Sequence, residues 1–268
     1  MKSFVRSGRA ELCVEDSHTP GVPVLCLHAG VCDRRMWAPQ VQALRAKHRV
    51  LAYDRRGFGE TRCEPEPHDL VADLIAVLDD ARIDTAVLMG CSQGGRIAID
   101  AALAHPDRVR ALVLVACSVS GGPADAEGPF EPAIQARVDA LEAAEARGDL
   151  AAMNELEAQV WLDGPAQPTG RVSARLRALF LAMNGIALAA PDPGQASEPP
   201  SAWDRLDAIR VPVLMVWGTF DFPHFEARMR SIERRIRGAQ SFVMEGAAHL
   251  PGLEQPEAFN AAVMRFLR

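Results

Sequence analysis

The sequence predicts an α/β protein: a mostly parallel central sheet with helices on both faces, interrupted by a long helical insert. Three observations carry this expectation. Short apolar runs ending in Gly or Asp alternate with stretches of helical spacing. The alternation stops between residues 121 and 203 and then resumes. The chain is long enough for one large domain or one domain with an insert, and its 268 residues are 49% hydrophobic and 24% charged, ordinary values for a globular protein.

The elements read as follows. "VPVLCLHAG" (22–30) is a buried strand, and Asp33 can cap a helix running through Trp37 to about Leu44. "HRVLAYD" (48–54) is the next strand. Asp69 opens a helix with Leu70, Leu74 and Leu78 on one face, beside Val71 and Ile75. "AVLMG" (86–90) is a strand, and Gly94 to Ala104 a helix stopped at His105-Pro106. "VRALVLVAC" (109–117) is a strand again.

Three helices are expected in the insert, marked by Ile134, Val138 and Leu141, by Met153, Leu156 and Val160, and by Leu176, Phe180 and Met183. The sheet resumes with "VPVLMVWG" (211–218), a helix near 224–237, "SFVMEG" (241–246) and a last helix from about Pro256. The expected organisation is a core of residues 1–120 and 204–268 with a helical cap of residues 121–203. An insert that follows a strand end is placed to act as a lid.

Charge and composition narrow the function classes. The formal net charge of −6 argues against nucleic acid as a partner. The cluster Arg228, Arg230, Arg234, Arg235 and Arg237 reads as the solvated face of a helix. Arg6, Arg9 and Glu11 interrupt the N-terminal stretch, which therefore reads as neither signal peptide nor membrane anchor. No apolar run approaches the roughly 18 residues a membrane span needs. The six cysteines are scattered with no C-x-x-C pair, so reduced, mostly buried thiols and a cytoplasmic location are expected. There is no H-E-x-x-H and no phosphate loop, so no metal or cofactor is implied.

The chemistry centres on "GCSQG" (90–94), a G-x-S-x-G between a strand and a helix. There the serine occupies a sharp turn with positive φ, and a side chain two residues before or after it would collide. Gly90 and Gly94 satisfy that demand, and Gly95 lets the helix pack closely. Ser92 is then a candidate nucleophile, which needs a base, and the base needs a carboxylate to fix its tautomer. His249 follows the last strand and Asp221 the one before it. His224 is the rival histidine, and Asp125 is the first carboxylate available after the strand ending at Cys117. An oxyanion hole would use the backbone N–H groups of Gln93, next to the nucleophile, and of Gly30 in the loop after the first core strand. His28 reads as a residue that holds that loop, and Cys91 as a packing residue.

These pieces resemble a known family. "LHAGVCDRRMW" (27–37), "YDRRGFGET" (53–61), "GCSQGGRIAIDAALAHPDRVRALVLV" (90–115), "VPVLMVWGTFD" (211–221) and "GAAHLPGLEQPEAF" (246–259) are similar to serine hydrolases of the α/β-hydrolase fold, of the capped type. "VWLDGP" (160–165) resembles a segment of bacterial proteins close to 3-oxoadipate enol-lactonases. The resemblance implies the same roles for Ser92, His249 and Asp221, with Gly30 and Gln93 at the oxyanion. It implies cofactor-free cleavage of a small to medium carboxylic ester or lactone. A carbon–carbon bond hydrolase or lyase using the same residues is the alternative, followed by a non-hydrolytic receptor. Gln93 stands where relatives like cofactor-free haloperoxidases usually carry Met, which argues against perhydrolase chemistry. The sequence assigns no oligomeric state and no physiological substrate.

Overall fold

A computed structural model describes residues 1–123 and 130–268. The strands are β1 (Lys2–Ser7), β2 (Ala10–Asp16), β3 (Val22–Leu27), β4 (His48–Tyr53), β5 (Arg62–Cys63), β6 (Ala86–Cys91), β7 (Val109–Val115), β8 (Val213–Gly218) and β9 (Gln240–Met244). The helices are α1 (Ala38–Leu44), α2 (Leu70–Asp80), α3 (Gln93–Ala104), α4 (Pro132–Ala146), α5 (Leu150–Glu157), α6 (Ala174–Ala189), α7 (Pro223–Arg235), α8 (Pro251–Glu254) and α9 (Pro256–Phe266).

One sheet runs in the order β1-β2-β4-β3-β6-β7-β8-β9, with the short β5 beside β2. From β4 to β9 every pairing is parallel. Parallel strands need covering layers on both faces, and the side chains divide accordingly. Leu25, Leu27, Leu88, Leu112, Leu114, Met215 and Trp217 enter one core with α2, α3 and α7 residues such as Leu74, Ile97 and Met229. Their neighbours Val24, Cys26, Val87, Met89, Val113 and Val216 enter the other, with Leu44 of α1 and Phe259 and Val263 of α9. The period of two explains why these strands read as continuous apolar runs.

The start of the chain departs from the sequence reading. β1 and β2 form an antiparallel pair joined at Gly8, and β2 continues antiparallel onto β4. Only Val5 of β1 is buried, so no apolar pattern marks that strand. Asp33 caps the following turn by accepting from Arg35 N (2.9 Å), but that turn is a 3-10 helix, Arg34–Trp37, and α1 begins only at Ala38. α5 runs on into a π-helical segment, Ala158–Asp163, which ends at Gly164 with φ 104°. The helices α4, α5 and α6 all lie between β7 and β8.

Strand order reverses at β3, which has β4 on one side and β6 on the other. In an open parallel sheet, ligands bind outside the carboxyl ends of the strands beside such a switch point. The loops leaving β3, β6, β8 and β9 all emerge at that edge. All six cysteines are free thiols, five of them buried. Arg230, Arg234, Arg235 and Arg237 are exposed, while Arg228 is half-buried over the Phe225 ring. No helix among the described residues is long and apolar enough to cross a membrane.

Candidate active site

Ser92 stands between β6 and α3 at φ 52°, ψ −116°. Its neighbours show why the turn needs glycine. A Cβ on Gly90 would lie 2.3 Å from the Gly94 carbonyl oxygen, and one on Gly94 2.3 Å from that of Leu27. A Cβ on Gly95 would lie 2.4 Å from Cys117 Cβ, so this glycine brings α3 against the end of β7. The Ser92 carbonyl accepts from Gly95 N and Arg96 N and starts the helix, but the hydroxyl makes no capping hydrogen bond.

Asp221 and His249 meet across two loops. His249 Nδ1 lies 2.7 Å from Asp221 Oδ2, and both residues are buried. The second carboxylate oxygen, Oδ1, accepts from Phe222 N at 2.8 Å. A carboxylate can only accept, so Nδ1 carries the proton and Nε2 is left with a lone pair. The ring is flanked by Trp161 and Phe225, with centroids 4.8 and 4.7 Å away. Cys91 joins the elbow to this loop, its buried thiol donating to the His249 carbonyl at 3.6 Å. Among the described residues the Ser92 hydroxyl makes no hydrogen bond to His249. Such contacts are often loose before a substrate tightens them. Asp125, the other carboxylate considered from the sequence, lies outside the described residues.

Gly30 and Gln93 are brought together: a Cβ on Gly30 would lie 2.9 Å from Gln93 Nε2. Neither backbone N–H has an intramolecular acceptor among the described residues. His28 does hold the loop. Its Nε2 accepts from Arg55 N at 3.1 Å, so its Nδ1 donates to Ala29 O at 2.7 Å. Burial, with Arg55 beside it, keeps this imidazole neutral by holding its pKa well below the usual value. Burial likewise pushes the Cys91 thiol up, away from thiolate character.

Two features were not legible in the sequence. Glu254 accepts from Ala248 N (2.9 Å) and Leu250 N (3.1 Å), the amides on either side of His249. Trp161 reaches His249 from the π-helical segment, where an extra residue in the turn alters which side chains face inward. The only sequence signal for Glu254 was an acidic residue in the short stretch after His249. Among the described residues no group of three or more His, Cys, Asp or Glu side chains is placed to hold a metal ion.

The fold, with a strained serine and a buried imidazole–carboxylate pair at one sheet edge, defines the class of α/β hydrolases. The chain belongs to the alpha/beta hydrolase family, whose family model matches residues 24–262. It is 32% identical over 248 residues to a pimeloyl-[acyl-carrier protein] methyl ester esterase of Neisseria meningitidis, covering 91% of this chain and 93% of that one. It is 30% identical over 242 residues to a putative carbamate hydrolase of Caulobacter, covering 86% and 85%. Among solved structures, a thermophilic esterase from Thermogutta terrifontis superposes with a TM-score of 0.77 at 29% identity, over 100% of this chain and 97% of the other.

Proposed function

We propose that the protein is a serine hydrolase of small to medium carboxylic esters or lactones, acting through Ser92, His249 and Asp221. The observation that carries this reading is the 2.7 Å contact between His249 Nδ1 and Asp221 Oδ2 on the loops beside the Ser92 turn. The ester cleaved by the Neisseria relative supports the same bond type.

The steps follow from the geometry. His249 Nε2 removes the Ser92 hydroxyl proton as Oγ attacks the carbonyl carbon. The oxyanion is received by the N–H groups of Gly30 and Gln93 and by the positive end of α3. Asp221 stabilises the imidazolium through Nδ1. When the tetrahedral intermediate collapses, the imidazolium gives its proton to the leaving alkoxide, and the acyl group remains on Ser92. Water, deprotonated by His249, then releases the acid and restores the serine. No cofactor is required by these steps.

The segment from 121 to 203 acts as a cap. Its Ile134 and Val160 cluster with Phe222 and Phe225, with Phe130 and Trp161 packed against them, and this apolar group borders His249. The experiment is labelling with a fluorophosphonate followed by peptide mass spectrometry, alongside a screen of esters, lactones and vinylogous diketones. The adduct is expected on Ser92, with turnover of esters or lactones. An adduct elsewhere, or cleavage of the diketones alone, overturns the reading.

A further inference from the structure

Arg55 is a buried cation with no carboxylate beside it among the described residues. It follows β4 and is 4% exposed. Its neighbour Arg56 is neutralised by Asp73 and Glu66, at 2.8 and 2.7 Å. The Arg55 side chain instead donates through Nη1 to Gln93 Oε1 (3.0 Å) and through Nη2 to Ala29 O (3.3 Å), over the Phe58 ring at 4.6 Å. Burial, with the charge of Arg96 acting the same way, lowers its pKa to about 10, which leaves it protonated at neutral pH. A buried charge of this kind is costly unless its donors are matched. Here Nε has no partner among the described residues, and the acceptors of the two Nη groups are a side-chain amide and a peptide carbonyl, both in the segments that carry the proposed oxyanion donors.

That pairing determines which way Gln93 faces. A guanidinium has donors only, so the carboxamide must turn its oxygen to Arg55. Its NH2 group then points the other way. Gln93 is exposed, its carboxamide lies against Gly30, and Nε2 has no acceptor among the described residues. Two N–H hydrogens therefore remain unused beside the two unused backbone N–H groups.

We propose that Arg55 and Gln93 form a specificity element, in which Arg55 orients the carboxamide so that Nε2 donates to an acceptor oxygen on the acyl chain next to the scissile carbonyl. This rests on the hydrolase reading above. The leaving oxygen must face His249, whose surroundings are Trp161 and Phe225. A donor on the Gly30 flank of the carbonyl oxygen therefore meets the acyl side. The ligand class is an ester or lactone with an oxo, hydroxy or alkoxy oxygen close to its carbonyl. Arg55 is a positioning residue, and Gln93 makes the contact.

The test compares two p-nitrophenyl esters of equal length, the methoxyacetate and the butyrate, which differ by one ether oxygen. The ratio of their kcat/KM values, methoxyacetate over butyrate, is measured for the wild type, Gln93→Met, Arg55→Met and Arg55→Lys. Methionine keeps the length and the backbone N–H of Gln93 but removes the donor. The ratio is expected to fall about five- to tenfold in Gln93→Met, the worth of one neutral hydrogen bond. It should fall about threefold in Arg55→Met, as the carboxamide becomes free to turn, and recover in part in Arg55→Lys. Should Arg55→Met fail to fold, Gln93→Met decides alone, because Gln93 is exposed at the start of α3. A ratio unchanged within twofold in Gln93→Met overturns the proposal, and so does an equal loss on both esters. Wild-type turnover of butyrate with an unchanged ratio leaves the hydrolase reading standing. No turnover of either ester, and no fluorophosphonate adduct on Ser92, would instead sink that reading.

Discussion

Arg171 hydrogen-bonds the carboxylate of Glu254, and that carboxylate holds the backbone amides on both sides of His249. The guanidinium also donates to Asp163 O (2.6 Å), Leu162 O (2.8 Å) and Gly246 O (2.8 Å). One side chain thus ties the segment that carries Trp161 to the loop that carries His249.

Removing Arg171 leaves a buried carboxylate without its cation. Burial raises Glu254 above its ordinary value of 4.5, and Arg171 opposes that rise. Between the unfolded and the raised folded value, the folded protein holds a proton that the unfolded chain has released. Stability therefore falls as pH rises through that window. In Arg171→Met the folded value rises further, so the window widens and the destabilisation grows with pH. Urea titrations should show a deficit on the order of 2 kcal/mol near pH 7.5, below the range for a fully buried pair because Arg171 is partly exposed. The deficit should shrink near pH 4.5. A deficit that is constant with pH would mean that Glu254 does not sense Arg171. In Glu254→Gln, kcat should fall by about tenfold with little change in KM, since the loss is in the setting of His249.

Asp221→Asn tests the tautomer argument. Asp221 Oδ1 accepts from Phe222 N, so an asparagine that keeps this bond turns its NH2 toward His249 Nδ1. The imidazole must then accept at Nδ1 and carry its proton on Nε2, where the base is needed. A loss on the order of 10³–10⁴ in kcat is expected, with the fold intact. Retention of more than about a tenth of wild-type kcat would assign the carboxylate role elsewhere.

What the sequence disclosed follows a physical line. The elbow was legible because its constraint is local: Gly90, Gly94 and Gly95 each face an atom closer than a Cβ allows. β3, β4, β6, β7 and β8 were legible because a strand buried on both faces is apolar throughout. β1 was not, since its burial rests on Val5 alone. The link from Arg55 to Gln93 spans 38 residues and leaves no pattern in either stretch. Arg171 acts 83 residues from Glu254, and its other acceptors are backbone carbonyls, which every residue type carries.

The backbone at Ser92 yields a prediction about stability. A non-glycine residue at φ 52°, ψ −116° is strained, typically by about 1–3 kcal/mol. Ser92→Ala removes the hydroxyl but keeps the Cβ and the strain. Ser92→Gly removes both, less about 0.5–1 kcal/mol for the added freedom of the unfolded chain. Both variants should lose ester hydrolysis by about 10⁴-fold or more. The glycine variant should be the more stable of the two by about 1 kcal/mol in urea unfolding. Equal midpoints would show that the turn is not under strain from its Cβ.

The last prediction concerns charge in the substrate. Among the described residues the rings against His249 are Trp161 and Phe225, and Phe130, Ile134, Val160 and Phe222 cluster with them. A carboxylate entering such surroundings needs a cation; Arg228 is already engaged over the Phe225 ring, and Arg55, Arg56 and Arg96 are the other three arginines to weigh. Arg56 is held by Asp73 and Glu66. Arg96 lines a cleft with Leu70, Ile75 and Val119 that none of Ser92, Asp221 or His249 borders. Arg55 is engaged with Gln93 and Ala29, and serving a substrate would require it to release them. An unpaired carboxylate then pays a desolvation penalty of several kcal/mol, whereas each buried methylene gains about 0.8 kcal/mol. A neutral ester should therefore exceed a matched ester bearing a terminal carboxylate on its acyl chain by more than about tenfold in kcat/KM. The comparison is made at two ionic strengths, because attraction to a distant surface charge would be screened by salt and a bound ion pair much less so. If the charged ester wins by tenfold at both, a cation does face the pocket. Arg55 would then be the first candidate, with Gln93 displaced from it by the incoming carboxylate.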